Sequence, residues 1–293
     1  MTIRPRRSML YMPGSNARAI EKARELPADG VILDLEDAVA PDAKAQARQL
    51  IIQELQKGGF GSREVLVRIN GLDTAWWRDD LAVAAASPDA LLLPKVSTPE
   101  QLRELARHFV GVRAEEGVRI WAMMETPLAM LNAREIAAAA LDPATRLAGF
   151  VMGTNDLAKE TRARILPGRA PMLPWLMNCV AAARAYGLAI LDGVYNELDD
   201  PEGFAAECRQ ARDLGFDGKT LIHPRQIAPC NAAFSPTPEE LAWARKVIAA
   251  FDLAENADKG VVQIDGRMVE RLHADMARQL VANAEADAQT RPA

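Results

Sequence analysis

Eight short apolar runs, each separated from the next by a stretch rich in Ala, Leu, Arg and Glu, set the strongest limit on how this chain can fold. The runs cover residues 8–12, 30–35, 64–69, 90–94, 118–124, 147–152, 189–191 and 216–221, with helices predicted at 16–25, 42–56, 99–112, 128–140, 172–186 and 203–213. Leu91, Leu92 and Leu93 follow one another without polar alternation. A parallel strand covered on both faces reads that way. Eight strand–helix units within 293 residues predict an α/β fold, a (β/α)8 TIM barrel in one domain.

A barrel of this kind carries its chemistry at the C-terminal ends of its strands. The runs here end in Asp34-Leu-Glu36-Asp37, Arg68-Ile-Asn70, Pro94-Lys95, Met124-Glu125, Asn155-Asp156 and Asp192-Gly193. Glu125 and Asp156 are the most telling, because each follows an apolar run at the point where a buried strand should stop. Two carboxylates can hold one hard cation, and Mg2+ suits them because it keeps several waters and leaves positions for substrate oxygens. Each could instead cap the helix that follows it, a role Asp and its neighbours often play. That both occur at strand ends favours an open metal site. Lys95 reads as an electrostatic support beside substrate, and His223 before Pro224 as a structural turn residue.

After the eighth run the pattern changes. Thr237 and Glu240 stand at capping-box spacing ahead of a longer helix, and residues 260–270 form two apolar pieces about Asp265-Gly266, a hairpin signal. A final helix follows. The expected division is a barrel over residues 1–233 and, over 234–293, a helical and hairpin extension that acts as a lid or packs on a neighbouring subunit. A net charge of -5 gives no basic excess to suggest a nucleic-acid partner, and no apolar run approaches membrane-spanning length. Cys179, Cys208 and Cys230 are odd in number and far apart, so free buried thiols in a reducing, cytoplasmic setting are expected.

Several pieces together resemble the citrate lyase β-subunit-like proteins of the HpcH/HpaI aldolase and malyl-CoA lyase superfamily. They are Arg7-Ser-Met-Leu-Tyr-Met-Pro-Gly14, Asp29 through Val39, Lys44 with Arg48, Val67-Arg-Ile-Asn70, Leu93-Pro-Lys95, Met124-Glu-Thr-Pro127, Gly153-Thr-Asn-Asp-Leu157 and Gly215 through Pro224. The resemblance implies a Mg2+-dependent carbon–carbon lyase that splits a β-hydroxyacyl thioester, of citramalyl-CoA, malyl-CoA or citryl type, into an acyl-CoA and a 2-keto acid. It places the metal on Glu125 and Asp156, substrate on Arg68, and Glu36 and Asp37 where they orient Arg68 and metal-bound water. Arg7 and Lys44 match positions that approach CoA phosphates. Arg68 could alternatively serve only as an ion-pair partner of Glu36 or Asp37.

The family's proton donor is an aspartate in the C-terminal segment, reaching the site of an adjacent subunit, so a trimer or a dimer of trimers is implied. Here Glu270 stands where aspartate is usual, and Leu272 where proline is usual. The added methylene matters, because a misplacement near 1 Å can cost on the order of a hundredfold in rate. Glu270 could otherwise be an ordinary first-turn helix residue. A malyl-CoA-type thioesterase, and a citrate lyase subunit working on an acyl carrier protein, are the alternative functions.

Overall fold

The computed structural model describes residues 4–112, 114–256 and 258–290. Eight parallel strands close into a barrel: β1 (Ser8–Pro13), β2 (Gly30–Asp34), β3 (Glu64–Arg68), β4 (Ala90–Leu93), β5 (Arg119–Met124), β6 (Leu147–Met152), β7 (Ala189–Asp192) and β8 (Gly218–Leu221). Each strand pairs with the next in sequence, and β8 closes on β1. Every expected run is a strand, with ends moved by a few residues. β2 and β3 are buried at all five positions, as the covered faces of a parallel sheet require.

Alternation along the strands separates two cores. Met9, Ile32, Leu66, Leu92, Trp121 and Val151 point inward and fill the barrel. Their neighbours Leu10, Leu33, Val67, Leu91, Ala122 and Phe150 point outward, against the helices. Gly149 makes the inner packing possible, since a Cβ there would stand 2.7 Å from the Trp121 ring. The helices expected from the sequence are present, that at 128–140 being split into Pro127–Leu131 and Ala133–Ala138. Besides short 3-10 turns, two helical segments were not foreseen: Trp77–Asp80 running into a 3-10 stretch at Leu81–Ala86, and the helix Thr154–Thr161 after β6. Both are short, and neither shows a sustained helical period.

Two compact units divide the chain, one comprising Arg6–Phe234 and the other residues 4–5 with those from Ser235 onward. In the second unit Pro238–Asp252 starts with the foreseen capping box: Thr237 Oγ1 accepts from the Glu240 amide at 3.2 Å, and Glu240 Oε2 accepts from the Thr237 amide at 2.7 Å. The hairpin is β9 (Val261–Ile264) and β10 (Arg267–Glu270). Asp265 (φ 49°) and Gly266 (φ 78°) turn it, both in the left-handed region that a two-residue type I′ loop needs. The helix Arg271–Thr290 packs on Pro238–Asp252 around Val247, Phe251 and Ala274. No helix of the described residues is long and apolar enough to cross a membrane.

Candidate active site at the C-terminal end of the barrel

Asp34 and Arg68 are register partners at the ends of β2 and β3, on the inward side set by Ile32 and Leu66. Arg68 Nε and Nη2 donate to Asp34 Oδ1 and Oδ2 at 2.7 and 2.6 Å, a two-point carboxylate grip that fixes the guanidinium plane. Its Nη1 meets Glu36 Oε2 at 2.9 Å and Asp37 Oδ2 at 3.5 Å. Burial opposes the arginine's charge, but Tyr11, Asp34 and Glu36 outweigh it and hold its pKa well above the ordinary value. The Asp34 oxygens also accept the amides of Glu36 and Ala38 at 2.8 and 3.1 Å. One carboxylate therefore orients both the arginine and the turn that carries Glu36 and Asp37. Sequence reasoning had paired Arg68 only with Glu36 and Asp37. Strand alternation, which puts residue 34 on the same face as residue 32, was the signal that could have revealed Asp34.

That turn is braced from below. Lys44 Nζ donates to the carbonyls of Leu35, Glu36 and Val39 at 2.8, 2.9 and 3.1 Å, and lies 5.0 Å from the Trp76 ring centroid. Its three N–H groups are all committed to the loop, so in this structure Lys44 shapes the site and offers none to a phosphate. Asn70 Nδ2 adds a bond to the Leu35 carbonyl at 3.1 Å, and is itself held by buried Asp80 at 2.6 Å. Arg7 is elsewhere. It precedes β1 at the opposite end of the barrel, where its backbone amide, Nε and Nη2 all bind Asp29 at 2.7–2.8 Å. The expected CoA contact through Arg7 is thus not brought to the end that holds Arg68.

Glu125 follows β5 and is 1% exposed. The capping alternative does not describe it, because Thr126 caps the helix Pro127–Leu131, its Oγ1 accepting from the Ala129 amide at 3.0 Å. Glu125 Oε1 accepts the Lys95 amide at 2.7 Å. Gly153 leaves the space that the carboxylate fills, since a Cβ there would stand 2.2 Å from Glu125 Oε2. Burial and the nearby Glu36 push the Glu125 pKa up to about 8, and Asp156 adds to the rise. Asp156, half-buried, sits in the first turn of Thr154–Thr161, where a negative charge complements the helix dipole. Burial likewise raises Glu36, to about 7, with Arg68 opposing the shift and Asp37 and Asp34 adding to it.

Lys95 occupies the midst of these acids. It adopts φ 55°, a left-handed conformation uncommon for a side-chain-bearing residue, and that turn aims its amide at Glu125. Its Nζ lies 3.9 Å from Glu36 Oε1. Partial burial weighs against the ammonium, but Glu36, Asp156, Glu125 and Asp37 outweigh it and hold its pKa above the usual lysine value. Among the described residues no group of three or more His, Cys, Asp or Glu side chains could hold a metal. A two-carboxylate donor set of hard oxygens, one of them seated in a glycine-made cradle, still fits Mg2+, which draws its other ligands from water and substrate.

Two other strand-end expectations are corrected or separated. Asp192 closes β7 but turns outward, 0% exposed, with its oxygens on Arg169 Nη1 at 2.7 and 2.8 Å and on Lys219 Nζ at 2.8 Å. It ties β7 and β8 to the surrounding helices and does not face the mouth. His223 caps a turn as expected, its Nδ1 accepting from the Arg225 amide at 3.1 Å. Glu270 belongs to the second unit, is exposed at the end of β10, and its amide donates to His273 Nδ1 at 2.9 Å.

Known proteins place the chain in a family. Residues 7–224 match the family described as HpcH/HpaI aldolase/citrate lyase. The chain is 53% identical to a (3S)-malyl-CoA thioesterase of Cereibacter sphaeroides (strain KD131 / KCTC 12085), over 96% of this chain and 95% of that protein. It is 37% identical to the citrate lyase subunit beta of Leuconostoc mesenteroides subsp. cremoris, over 92% and 89% of the two chains. It is also 33% identical to the mitochondrial citramalyl-CoA lyase of Mus musculus, over 91% and 82%. Among solved structures, CitE of Mycobacterium tuberculosis in complex with magnesium, acetoacetate and coenzyme A superposes with a TM-score of 0.78 at 31% identity, covering 97% of this chain and 100% of that one. On the family match and the near full-length similarity to its relatives, the chain belongs to the HpcH/HpaI aldolase/citrate lyase family.

Proposed function

We propose that this protein is a Mg2+-dependent enzyme acting on a short β-hydroxyacyl-CoA thioester of malyl type, with thioester hydrolysis as its principal reaction. The observation that carries this reading is the joint placement of Arg68, fixed by Asp34, and the carboxylates Glu125 and Asp156 at one barrel mouth, in a chain 53% identical to a (3S)-malyl-CoA thioesterase. Glu125 and Asp156 would hold the cation, which supplies Lewis-acid polarisation and charge neutralisation for the acid end of the substrate. Hydrolysis adds water to the thioester carbonyl and expels the CoA thiol, so negative charge gathers on the carbonyl oxygen. Arg68 serves as the preorganised cationic donor to that oxygen. Glu36 titrates at about 7. It can therefore take a proton from water near neutral pH. Lys95, held cationic among four acids, offsets their charge when an anionic substrate approaches.

Carbon–carbon cleavage is the second reading, favoured by the similarity to citrate lyase β subunits and citramalyl-CoA lyase. The same arginine would then stabilise an enolate oxygen, and a proton must reach the enolate carbon. We assign that proton to Glu270 of an adjacent subunit, with the residues from Ser235 onward acting as a lid in a homotrimer or hexamer. An active monomer in sedimentation would remove this assignment. Three buried free cysteines suit a reducing cytoplasm.

Incubation with Mg2+ and malyl-CoA, citramalyl-CoA or citryl-CoA, followed by mass spectrometry, tests both readings. Free CoA with intact hydroxy acid, lost on chelation, establishes the thioesterase. Keto acid with acyl-CoA establishes the lyase. Turnover only when the acyl group is carried on a protein would instead point to a citrate lyase subunit, and silence with every substrate would refute the proposal.

A further inference from the structure

Two hydrogen-bond donors inside the barrel converge on one weak acceptor. Tyr11 Oη lies 4.0 Å from Met123 Sδ, and Arg68 Nη1 lies 4.0 Å from the same sulfur. A thioether is a weak acceptor, and both contacts to it are long. Arg68 satisfies its remaining demands on Asp34 and Glu36, whereas the Tyr11 hydroxyl has no other hydrogen bond among the described residues. The guanidinium also covers the Tyr11 ring, 4.9 Å from its centroid. The two groups are thus held as a unit.

The Tyr11 side chain reaches the site. Tyr11 is an inward-facing residue of β1, above Met9, which is wholly buried, as are Ile32, Leu66 and Leu92 beside it. Tyr11 alone of these retains intermediate exposure. With the inner core sealed, that exposure belongs to the C-terminal mouth, where Asp34, Glu36 and Glu125 all act on the phenol. Burial comes first; Arg68 opposes it, but with Asp34, Glu125 and Glu36 burial raises the Tyr11 pKa far above the working range, so the group stays a neutral O–H donor.

We infer that the Tyr11 hydroxyl and Arg68 Nη1 together form an oxyanion pocket, and that Tyr11 is a further catalytic residue that donates a hydrogen bond to the thioester carbonyl oxygen. Substrate oxygen enters beside the Met123 sulfur, within reach of both donors, and the flexible, polarisable thioether gives way to it. Two donors on rigid barrel strands, Tyr11 on β1 and Arg68 on β3, need little reorganisation of their own as charge develops. The neutral phenol adds a donor without adding charge, which suits a mouth whose acids must still hold a cation. This inference rests on the thioester reading of Arg68 given above.

The test is Tyr11→Phe, which keeps the ring beneath Arg68 and removes only the hydroxyl. Expected is a fall in kcat on malyl-CoA of about 10- to 100-fold with KM changed less than about threefold, up to the lower end of the usual loss for one oxyanion-hole donor because Arg68 remains. A second readout does not need turnover: the carbonyl 13C resonance of acetyl-[1-13C]-CoA bound to the Mg2+-loaded protein should move downfield relative to free ligand, and Tyr11→Phe should lose part of that shift. An active wild type with kcat of the variant within twofold overturns the role of Tyr11 alone. An inactive wild type overturns the function proposed above, and the carbonyl shift then decides for or against the pocket by itself. A shift that is absent, or identical in both proteins, overturns it.

Discussion

Asp34→Asn isolates the device on which the proposed chemistry depends. Asp34 is 1% exposed and accepts four hydrogen bonds: two from Arg68, at 2.7 and 2.6 Å, and two from the amides of Glu36 and Ala38. The asparagine is isosteric, but its NH2 turns one acceptor into a donor that faces either a guanidinium or a backbone amide. Removing one partner of a buried ion pair costs roughly 3–5 kcal/mol. Glu36 still pairs with Arg68 at 2.9 Å, so the lower end, about 3 kcal/mol, is expected here. At about 2–4 °C per kcal/mol for a domain of this size, the melting temperature should fall by about 6–12 °C. The freed guanidinium loses its fixed plane, and a displacement near 1 Å lowers kcat by about a hundredfold. Mg2+ affinity should stay within about threefold, because neither Glu125 nor Asp156 touches Asp34. Differential scanning calorimetry, isothermal titration with Mg2+ and steady-state kinetics read the three quantities. Wild-type kcat in a variant that has lost the expected stability would refute the claim that Asp34 aims Arg68 at substrate.

Other consequences are more local. Glu125→Gln and Asp156→Asn should each abolish Mg2+-dependent turnover with the circular dichroism spectrum unchanged, and full activity in either removes the metal assignment. Gly153→Ala puts a Cβ 2.2 Å from Glu125 Oε2 and 2.4 Å from its Cβ, so Mg2+ affinity should drop at least about tenfold by titration; unchanged affinity would mean that the carboxylate is not seated as drawn. Because Glu36 titrates at about 7, hydrolysis should rise with pH through that value as the base loses its proton, and Glu36→Gln should flatten that limb of the profile. The same shift has a stability sign: a carboxyl whose pKa is raised from 4.5 to about 7 on folding binds more protons in the native state. It therefore costs stability progressively as pH rises from about 4.5 to about 7, and the full cost persists above. Glu36→Gln should accordingly gain stability relative to wild type between pH 5 and pH 8, by denaturant titration; a constant difference across that range contradicts the shift.

The sequence by itself carried the barrel, because a parallel strand buried on both faces must be an unbroken apolar run and its polar terminus must mark the mouth. Glu125 and Asp156 were legible for that reason, as were the Thr237–Glu240 capping box and the Asp265-Gly266 turn, whose signals lie within a few residues. The helix Thr154–Thr161 escaped notice because the strand-end motif supplies its first turn, leaving too little chain for a period to show. What tertiary structure alone decided is how charges far apart in sequence are shared. Thirty-four residues separate Asp34 from Arg68. Only barrel closure and parallel register make them neighbours. Lys44 and Arg7 look in sequence like free cations for a phosphate, yet the fold commits one to three loop carbonyls and the other to Asp29 at the far rim. Asp192 looks like a strand-end acid, yet it faces outward to Lys219 and Arg169, because its neighbour Leu191 takes the inward position. A residue's type and local spacing are properties of the chain, whereas the partner that satisfies a buried charge is set by which strands and helices come to lie together. Burial makes that pairing obligatory, since an unpaired charge would cost more than the fold could sustain.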